Sequence, residues 1–409
     1  MTSMDGVEDI RGKVAYVASG ELAKLSSLLP SNRNRAIMVH SLINALGILK
    51  DNPTRPRRIQ VVNPSRATRQ ALSTYHSKDY LDFILDASSQ QKAQLEDSES
   101  NRLLALEFGL EDARLPNIPG ALGLQVAIAW DGGRHHARKS KASGFCYVAD
   151  CTLALLPLKR PTPDIPKPRI MYIDLDLHFS DGVSESFHSP NSTGSSQILT
   201  CSIHHTSPGF FPLSPLAPLP TPSSESFDPF TLSIPLQQGA SSATFARIYP
   251  ILNRAREIFN PDYIVLQCGV DSLAGDPYAV FNWNIGGEGS MGWYVDKIVN
   301  EWPGRKLLLG GGGYNSPNAA RAWAYFTSIA TGSPLDLDTE IPDHSAFPQY
   351  APSFTVSSSL YNKMSIDVFR SVQLDVQAGF MQDTNTPEYL QSIEDAYVDI
   401  LAALKSRLS

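Results

Sequence analysis

Charge is scarce in this 409-residue chain: Asp, Glu, Lys and Arg make up 18% of it, below the ~25% of an average soluble domain. Positive charge is in deficit, with 34 Lys and Arg against 41 Asp and Glu and a net charge of −7. A nucleic-acid-binding surface over the whole protein is excluded, while a cationic ligand stays compatible. Cysteine is rare. Cys146, Cys151, Cys201 and Cys268 stand in apolar stretches without CxxC spacing, so buried reduced thiols are expected rather than disulfides or a cysteine metal cluster. No apolar run reaches the ~20 residues of a membrane span. The opening MTSMDGVEDIRGK has no apolar segment of the secretory kind, and the expectation is an intracellular protein. Apolar residues, by contrast, reach 42%, enough for a large core and too many for wholesale disorder.

Short apolar runs alternate with helical patterns, which predicts βαβ units around a parallel sheet. The expected strands are KVAYVAS at residue 13, then 125–130, 169–175, 197–203, 263–270 and 306–311. They are apolar or small almost throughout, without alternation, as strands covered on both faces are. Periodicity of 3.6 predicts helices over 35–49, 242–259, 316–331 and 386–408. Pro250 should kink or interrupt the second. Ser316 and Pro317 look like the cap and first helical position of the third. The proline-rich stretches 157–168 and 212–229 read as exposed connectors or as a polyproline docking segment. The expected layout is a flexible N-terminus over 1–12, one α/β domain over 13–380 and a C-terminal helix within 381–409.

Ligands of open α/β sheets bind beyond the carboxyl ends of the strands. Five apolar runs lead there into polar clusters: DGGRHH, DLHFSDG, HHTSPGFF, DSLAGDP and GGYN. Of nine histidines, His135, His136, His178, His204 and His205 fall in these clusters. Asp176 and His178 are two apart and point the same way on an extended chain. With Asp271, directly after a buried strand, they make two carboxylates and one imidazole. That set leaves a fourth metal position open, the pattern of a catalytic rather than a structural site, with zinc favoured. The tandem His135 and His136 suit general acid–base work if each has an orienting carboxylate, for which Asp174 and Asp181 are free. Four glycines at 310–313 let backbone approach a ligand and put Tyr314 at their rim, where its hydroxyl could bond an oxyanion. A phosphate-binding turn is an equal reading of those glycines, but no P-loop lysine follows. Phe145 and Phe211 suit either core packing or two rings facing across a narrow apolar slot.

WDGGRHHARKSKASGFCYVAD, YIDLDLHFSDGV, HHTSPGFFP, LQCGVDSLAGDP, LLLGGGGYN and EIPDH, in this order, resemble the class I zinc-dependent histone deacetylases. NRAIMVHSLI and YHSKDYLDFIL fit as well, so the resemblance runs from about residue 13 to 355. It implies the single-domain arginase/deacetylase fold, a parallel sheet flanked by helices with the site at the strand ends. It also implies hydrolysis of acetyl-lysine to lysine and acetate, in histone tails or other proteins, with corepressor subunits as partners and the nucleus as location. Carried over by position, Asp176, His178 and Asp271 match the zinc ligands. His135 and His136 match the paired catalytic histidines, Asp174 and Asp181 their carboxylate partners, and Tyr314 the carbonyl-polarising tyrosine. Phe145 and Phe211 match the channel walls, with Gly144 beside them, and Arg35 matches an arginine near the acetate-exit cavity. Ser202 resembles a contributor to a monovalent cation (K+) site.

Three departures stand out. Phe179 replaces a second histidine after the ligand His178, which should change the packing behind the site. Tyr278 stands where the family has an aliphatic residue or Met at the channel mouth. The stretch 107–126 is shorter than the family's by about a helix, and Asp112 is a poor match for the rim aspartate that grips the substrate backbone. A catalytically weak scaffold subunit and a deacetylase of small acetylated amines therefore stay open as alternatives.

Overall fold

The unalternating apolar runs fold as the middle of one sheet. The computed structural model describes residues 12–85, 124–350, 355–357, 369–371 and 373–409. Its eight main strands are β1 (Lys13–Val17), β2 (Arg58–Val62), β3 (Val126–Ala129), β4 (Ile170–Asp174), β5 (Ile198–His205), β6 (Thr231–Leu236), β7 (Tyr263–Gln267) and β8 (Arg305–Leu309). They pair in parallel in the order β2-β1-β3-β8-β7-β4-β5-β6. Every residue of β3, β4, β5, β6 and β7 is buried.

Alternate side chains serve opposite faces. Met171, Ile173, Ile264 and Leu266 pack with the helices Arg35–Ala45, Ser242–Phe259, Ser316–Ala330 and Pro387–Leu408. Ile170, Tyr172 and Val265 pack with Cys151 and Leu155 of the helix Asp150–Leu158. Parallel pairing thus brings all the strand-end loops to one edge, and the helices on both faces leave that edge as the place where polar side chains gather.

The strands that apolar content did not reveal are the two edges. β2 is largely exposed, so it needs no two-sided apolar cover. β6 carries Ser233 and Pro235, and an edge strand tolerates the missing N–H of proline. A short antiparallel pair, Thr355–Ser357 with Phe369–Ser371, was likewise unannounced by pattern.

Pro250 does not interrupt its helix, which runs unbroken over Ser242–Phe259. The proline lies on the exposed side, while Ile248, Ile251 and Leu252 are buried opposite. Their burial outweighs the lost hydrogen bond. The cap of the helix Ser316–Ala330 is Asn315 rather than Ser316, because the Asn315 side chain accepts from Asn318 N. Pro157 lies inside the helix Asp150–Leu158. The stretch 212–229 is more than an exposed connector: Ala217 is buried, and its carbonyl faces His204 Nε2 at 3.0 Å and accepts from the Ser233 hydroxyl. All four cysteines are free and buried.

The helix Pro387–Leu408 covers the β6 edge. Its Tyr389 and Tyr397 hydroxyls donate to the carbonyls of Pro235 and Ser233 at 2.8 and 2.9 Å, and Glu394 pairs with Arg247 at 2.7 Å. Just before it, the Asp383 carboxylate accepts from Ser241 N at 3.0 Å and from the Ser241 and Thr244 hydroxyls at 2.7 Å each. A side chain from the C-terminal segment therefore caps the helix Ser242–Phe259. Partial burial works to raise the pKa of Asp383, but the bonds from Thr244, Asn385 and Ser241 bring it below the ordinary 3.8. Asp383→Asn keeps an acceptor but loses the charge, and is expected to lower stability by about 1 kcal/mol, the difference between hydrogen bonds to a charged and to a neutral partner. The wild-type advantage should be full above pH 3.8 and vanish as the pH falls through the lowered folded-state value. Urea unfolding of both chains across a pH series checks this; a gap independent of pH would contradict it.

Candidate active site

β3, β8, β7 and β4 are neighbours in the sheet, so the loops that follow them meet. Asp176 and His178 follow β4 and Asp271 follows β7. One ligand atom from each lies within 4.8 Å of the others. His178 Nδ1 sits 3.2 Å from Asp176 Oδ1 and 2.9 Å from Asp271 Oδ2. The carboxylates are held from behind. Gln267 Nε2 and Gly312 N donate to Asp176 Oδ2 at 3.0 and 2.8 Å, and Leu177 N donates to Asp271 Oδ1 at 3.0 Å. Phe210 stacks on the His178 ring at 5.3 Å. Glycine is required at 312, where a Cβ would fall 2.3 Å from Asp271 Oδ2 and 2.8 Å from Asp176 Oδ2.

Burial, and then the Asp176 charge, push Asp271 up to about 7. Burial works the same way on Asp176, but the nearby His135 and His178 hold it well below the usual carboxylate range. Burial would lower His178, yet bonds to Asp176 and Asp271 raise it to about 10. Two buried carboxylates with Asp176 Oδ1 and Asp271 Oδ2 both turned to His178 Nδ1 call for a cation, and a set of two oxygens and one nitrogen suits a divalent metal.

His135 and His136 sit beside this centre in unlike surroundings. His135 Nδ1 is 2.9 Å from Asp174 Oδ2, and its Nε2 is 3.7 Å from Asp176 Oδ1. Burial opposes its charge, but Asp174 and Asp176 together lift it to about 9. His136 Nδ1 is 2.6 Å from Asp181 Oδ1. Burial and the His135 charge bring it down to about 4. The carboxylates are themselves supported: the Tyr172 hydroxyl donates to Asp174, and Arg138 donates to Asp181 Oδ2 at 2.7 Å.

A slot opens above. Phe145 and Phe211 are 51% and 42% exposed, which excludes core packing for both. They flank the opening without stacking on each other: Phe211 meets the His136 ring edge-on at 4.9 Å, and Phe145 meets Tyr314 at 6.1 Å. Gly144 and Phe145 both have positive φ, +52 and +61, at the tip of a tight turn closed between Ser143 and Cys146. Such a two-residue turn needs left-handed backbone at both positions and turns the Phe145 ring outward. A Cβ on Gly144 would lie 2.4 Å from His136 Cδ2. Tyr314 forms the far side, with Tyr278 edge-on to it at 4.7 Å. Arg35 reaches in from behind, donating to the Gly313 carbonyl at 2.7 Å with its guanidinium over Trp323. Ser202 pairs in register with Asp174 across β4 and β5. Phe179 is buried against His204, ring centroids 4.8 Å apart, so an apolar contact fills the space behind the site.

Asp112 and nearly all of the short stretch 107–126 lie outside the described residues. Four contributors were not singled out from sequence: Gln267, Phe210, Arg138 and Asp276. Gln267 had a signal, being the polar end of the apolar run YIVLQ. Asp276 accepts backbone N–H groups of Tyr314 and Asn315, a long-range contact that spacing does not show.

The family model for the histone deacetylase domain matches residues 29–330. Histone deacetylase 8 of Xenopus tropicalis is 33% identical over 363 residues, covering 83% of this chain and 89% of the relative. Histone deacetylase 8 of Danio rerio is 32% identical, covering 85% and 88%. Histone deacetylase 1 of Homo sapiens is 29% identical over 417 residues, covering 98% and 77%. The domain match and the identity across most of both lengths lead to one conclusion: the chain belongs to the histone deacetylase family.

Proposed function

We propose that this chain is a zinc-dependent hydrolase of N6-acetyl-lysine in histones or other proteins, giving lysine and acetate. The observation that carries the reading is the convergence of Asp176, His178 and Asp271 with His135, His136 and Tyr314 around one slot. Asp176, His178 and Asp271 would hold the zinc, which would supply a Lewis acid and bring the pKa of water down toward neutrality.

The chain's own residues do the rest. Phe145, Phe211 and Gly144 admit the aliphatic stem of the lysine. His136, oriented by Asp181, takes a proton from the attacking water. Either His136 or His135, oriented by Asp174, returns a proton to the departing amine. Tyr314 donates its hydroxyl to the acetyl oxygen. Burial, with the Asp271 and Asp176 charges, raises its pKa far above the usual 10, so the proton stays available for donation. Such a donor bonds most strongly to the oxyanion that develops in the transition state. Tyr278, edge-on to Tyr314, narrows the mouth and restricts which acyl-lysine enters.

The register of Ser202 with Asp174 supports a structural K+ beneath the strand ends. Residues 13–380 form the catalytic unit with 381–409 docked upon it, the contact of Glu394 with Arg247 supporting that layout. The net charge of −7 favours cationic tails as substrates, and Asp112, a poor match for the family's rim aspartate, would add to it from the stretch 107–126. By family, corepressor subunits are the partners and the nucleus the location. No helix among the described residues is long and apolar enough to cross a membrane.

Asp176→Ala and Asp271→Ala should each lose metal and acetate release together. Elemental analysis of the purified variants beside an acetyl-lysine peptide assay checks this; unchanged metal content in both would refute the site. Tyr314→Phe should keep its metal and its KM while kcat falls about 10²–10³-fold, as for loss of one oxyanion donor. A variant within about twofold of wild-type kcat is far outside that range and would remove Tyr314 from the role.

A further inference from the structure

We infer that Asp276 is the positioning residue for Tyr314: its buried carboxylate fixes the backbone that carries the tyrosine ring at the slot. The inference rests on the reading of Tyr314 as the hydroxyl that bonds the acetyl oxygen.

Tyr314 follows four glycines. Gly311 and Gly313 take φ values of +151° and +127°, which glycine adopts readily but at the largest conformational entropy loss of any residue. A loop of this composition does not hold a side chain in place by itself. A catalytic donor, however, must be placed to within about 0.5 Å. Something outside the loop has to supply the order.

Asp276 supplies it. Its Oδ2 accepts the backbone N–H of Tyr314 at 2.6 Å and that of Asn315 at 3.0 Å. Its Oδ1 accepts the N–H of Tyr278 at 3.0 Å. One side chain therefore ties together the backbones of both tyrosines, whose rings meet edge-on. Hydrogen bonds to a carboxylate are roughly twice as strong as neutral ones, and at 8% exposure this carboxylate has little water to compete. Asn315 is in turn the cap of the helix Ser316–Ala330. The clamp thus reaches from the flexible glycines to a rigid element.

The loop that carries Asp276 also carries Asp271. It is anchored by Ala274 N donating to the carbonyl of the buried Trp283 at 2.8 Å. Val270 N donates to the Gly312 carbonyl at 3.0 Å, a second stitch between the same two loops. The tyrosine hydroxyl and a carboxylate of the metal-competent set are therefore spaced by one piece of backbone. Asp276 does not line the slot, whereas Tyr314, whose backbone it bonds, does, so its effect on kcat runs through Tyr314.

Asp276→Asn keeps the shape and replaces one acceptor oxygen by a donor; Asp276→Ala removes both acceptors. In the full chain, kcat on an acetyl-lysine peptide should fall about 10²-fold in Asp276→Ala, the cost of misplacing a catalytic group by about 1 Å. The fall should be smaller in Asp276→Asn, with KM changed far less than kcat, through Tyr278 alone, and metal content unchanged in both. In a Tyr314→Phe background the same substitutions should cost little more, because the hydroxyl they misplace is already gone. Independently of activity, amide exchange over 310–316 in metal-free protein should accelerate in Asp276→Asn. Should Asp276→Ala fail to fold, Asp276→Asn carries every one of these readouts. Equal losses in both backgrounds, unchanged amide exchange or loss of metal would overturn the clamp while leaving Tyr314→Phe impaired. Full turnover by Tyr314→Phe would defeat the reading of Tyr314 and this inference with it.

Discussion

Asp176 and Asp271 are buried almost completely, with one imidazole between them, and burying two like charges side by side is the constraint to which the surrounding structure answers. A buried carboxylate without partners is costly, so donors crowd in. Leu177 N, Gly312 N and Gln267 Nε2 come from three different segments. They can reach only because neighbouring parallel strands all end at the same edge. Gly312 has to be glycine because backbone, not side chain, delivers one of those donors. What these contacts leave unsatisfied is charge, which a divalent cation neutralises.

The same electrostatics separates the two histidines. They are adjacent in sequence and their rings lie tilted against each other, centroids 3.9 Å apart, yet each has its own carboxylate. His135 is turned toward Asp174 and Asp176, and His136 toward Asp181, which Arg138 already neutralises in part. Two like groups in unlike fields carry protons at different pH, which is what a pair serving as acid and base requires. Phe211 packs on His136, so the ring nearest the slot is also the one that burial keeps neutral.

The middle of the sheet was legible because two-sided burial leaves no polar positions to confuse the pattern; the edge strands β2 and β6 were not, because exposure and Pro235 remove that signal. The site was legible for a related reason. Polar residues such as Asp174, His178 and Asp271 at or just past the ends of apolar strands have no core role, so their presence is informative. Asp276 and Arg138 escaped because each acts across a long sequence distance on backbone or on another side chain. Pro250 misled because propensity is local, whereas the helix around it is held by Ile248 and Leu252 in the core. Phe145 and Phe211 had two readings until exposure decided between them. The turn that sets Phe145 outward depends on left-handed backbone that sequence alone does not assign to a phenylalanine.

The central claim is that a metal held by Asp176, His178 and Asp271 works with the surrounding side chains on acetyl-lysine. Acetate release from an acetyl-lysine peptide by the full chain, followed before chelation, after chelation and after zinc is restored, tests it most directly. The account predicts turnover that chelation abolishes and zinc brings back. Turnover indifferent to the chelator, or none from a fully metal-loaded chain, would contradict it.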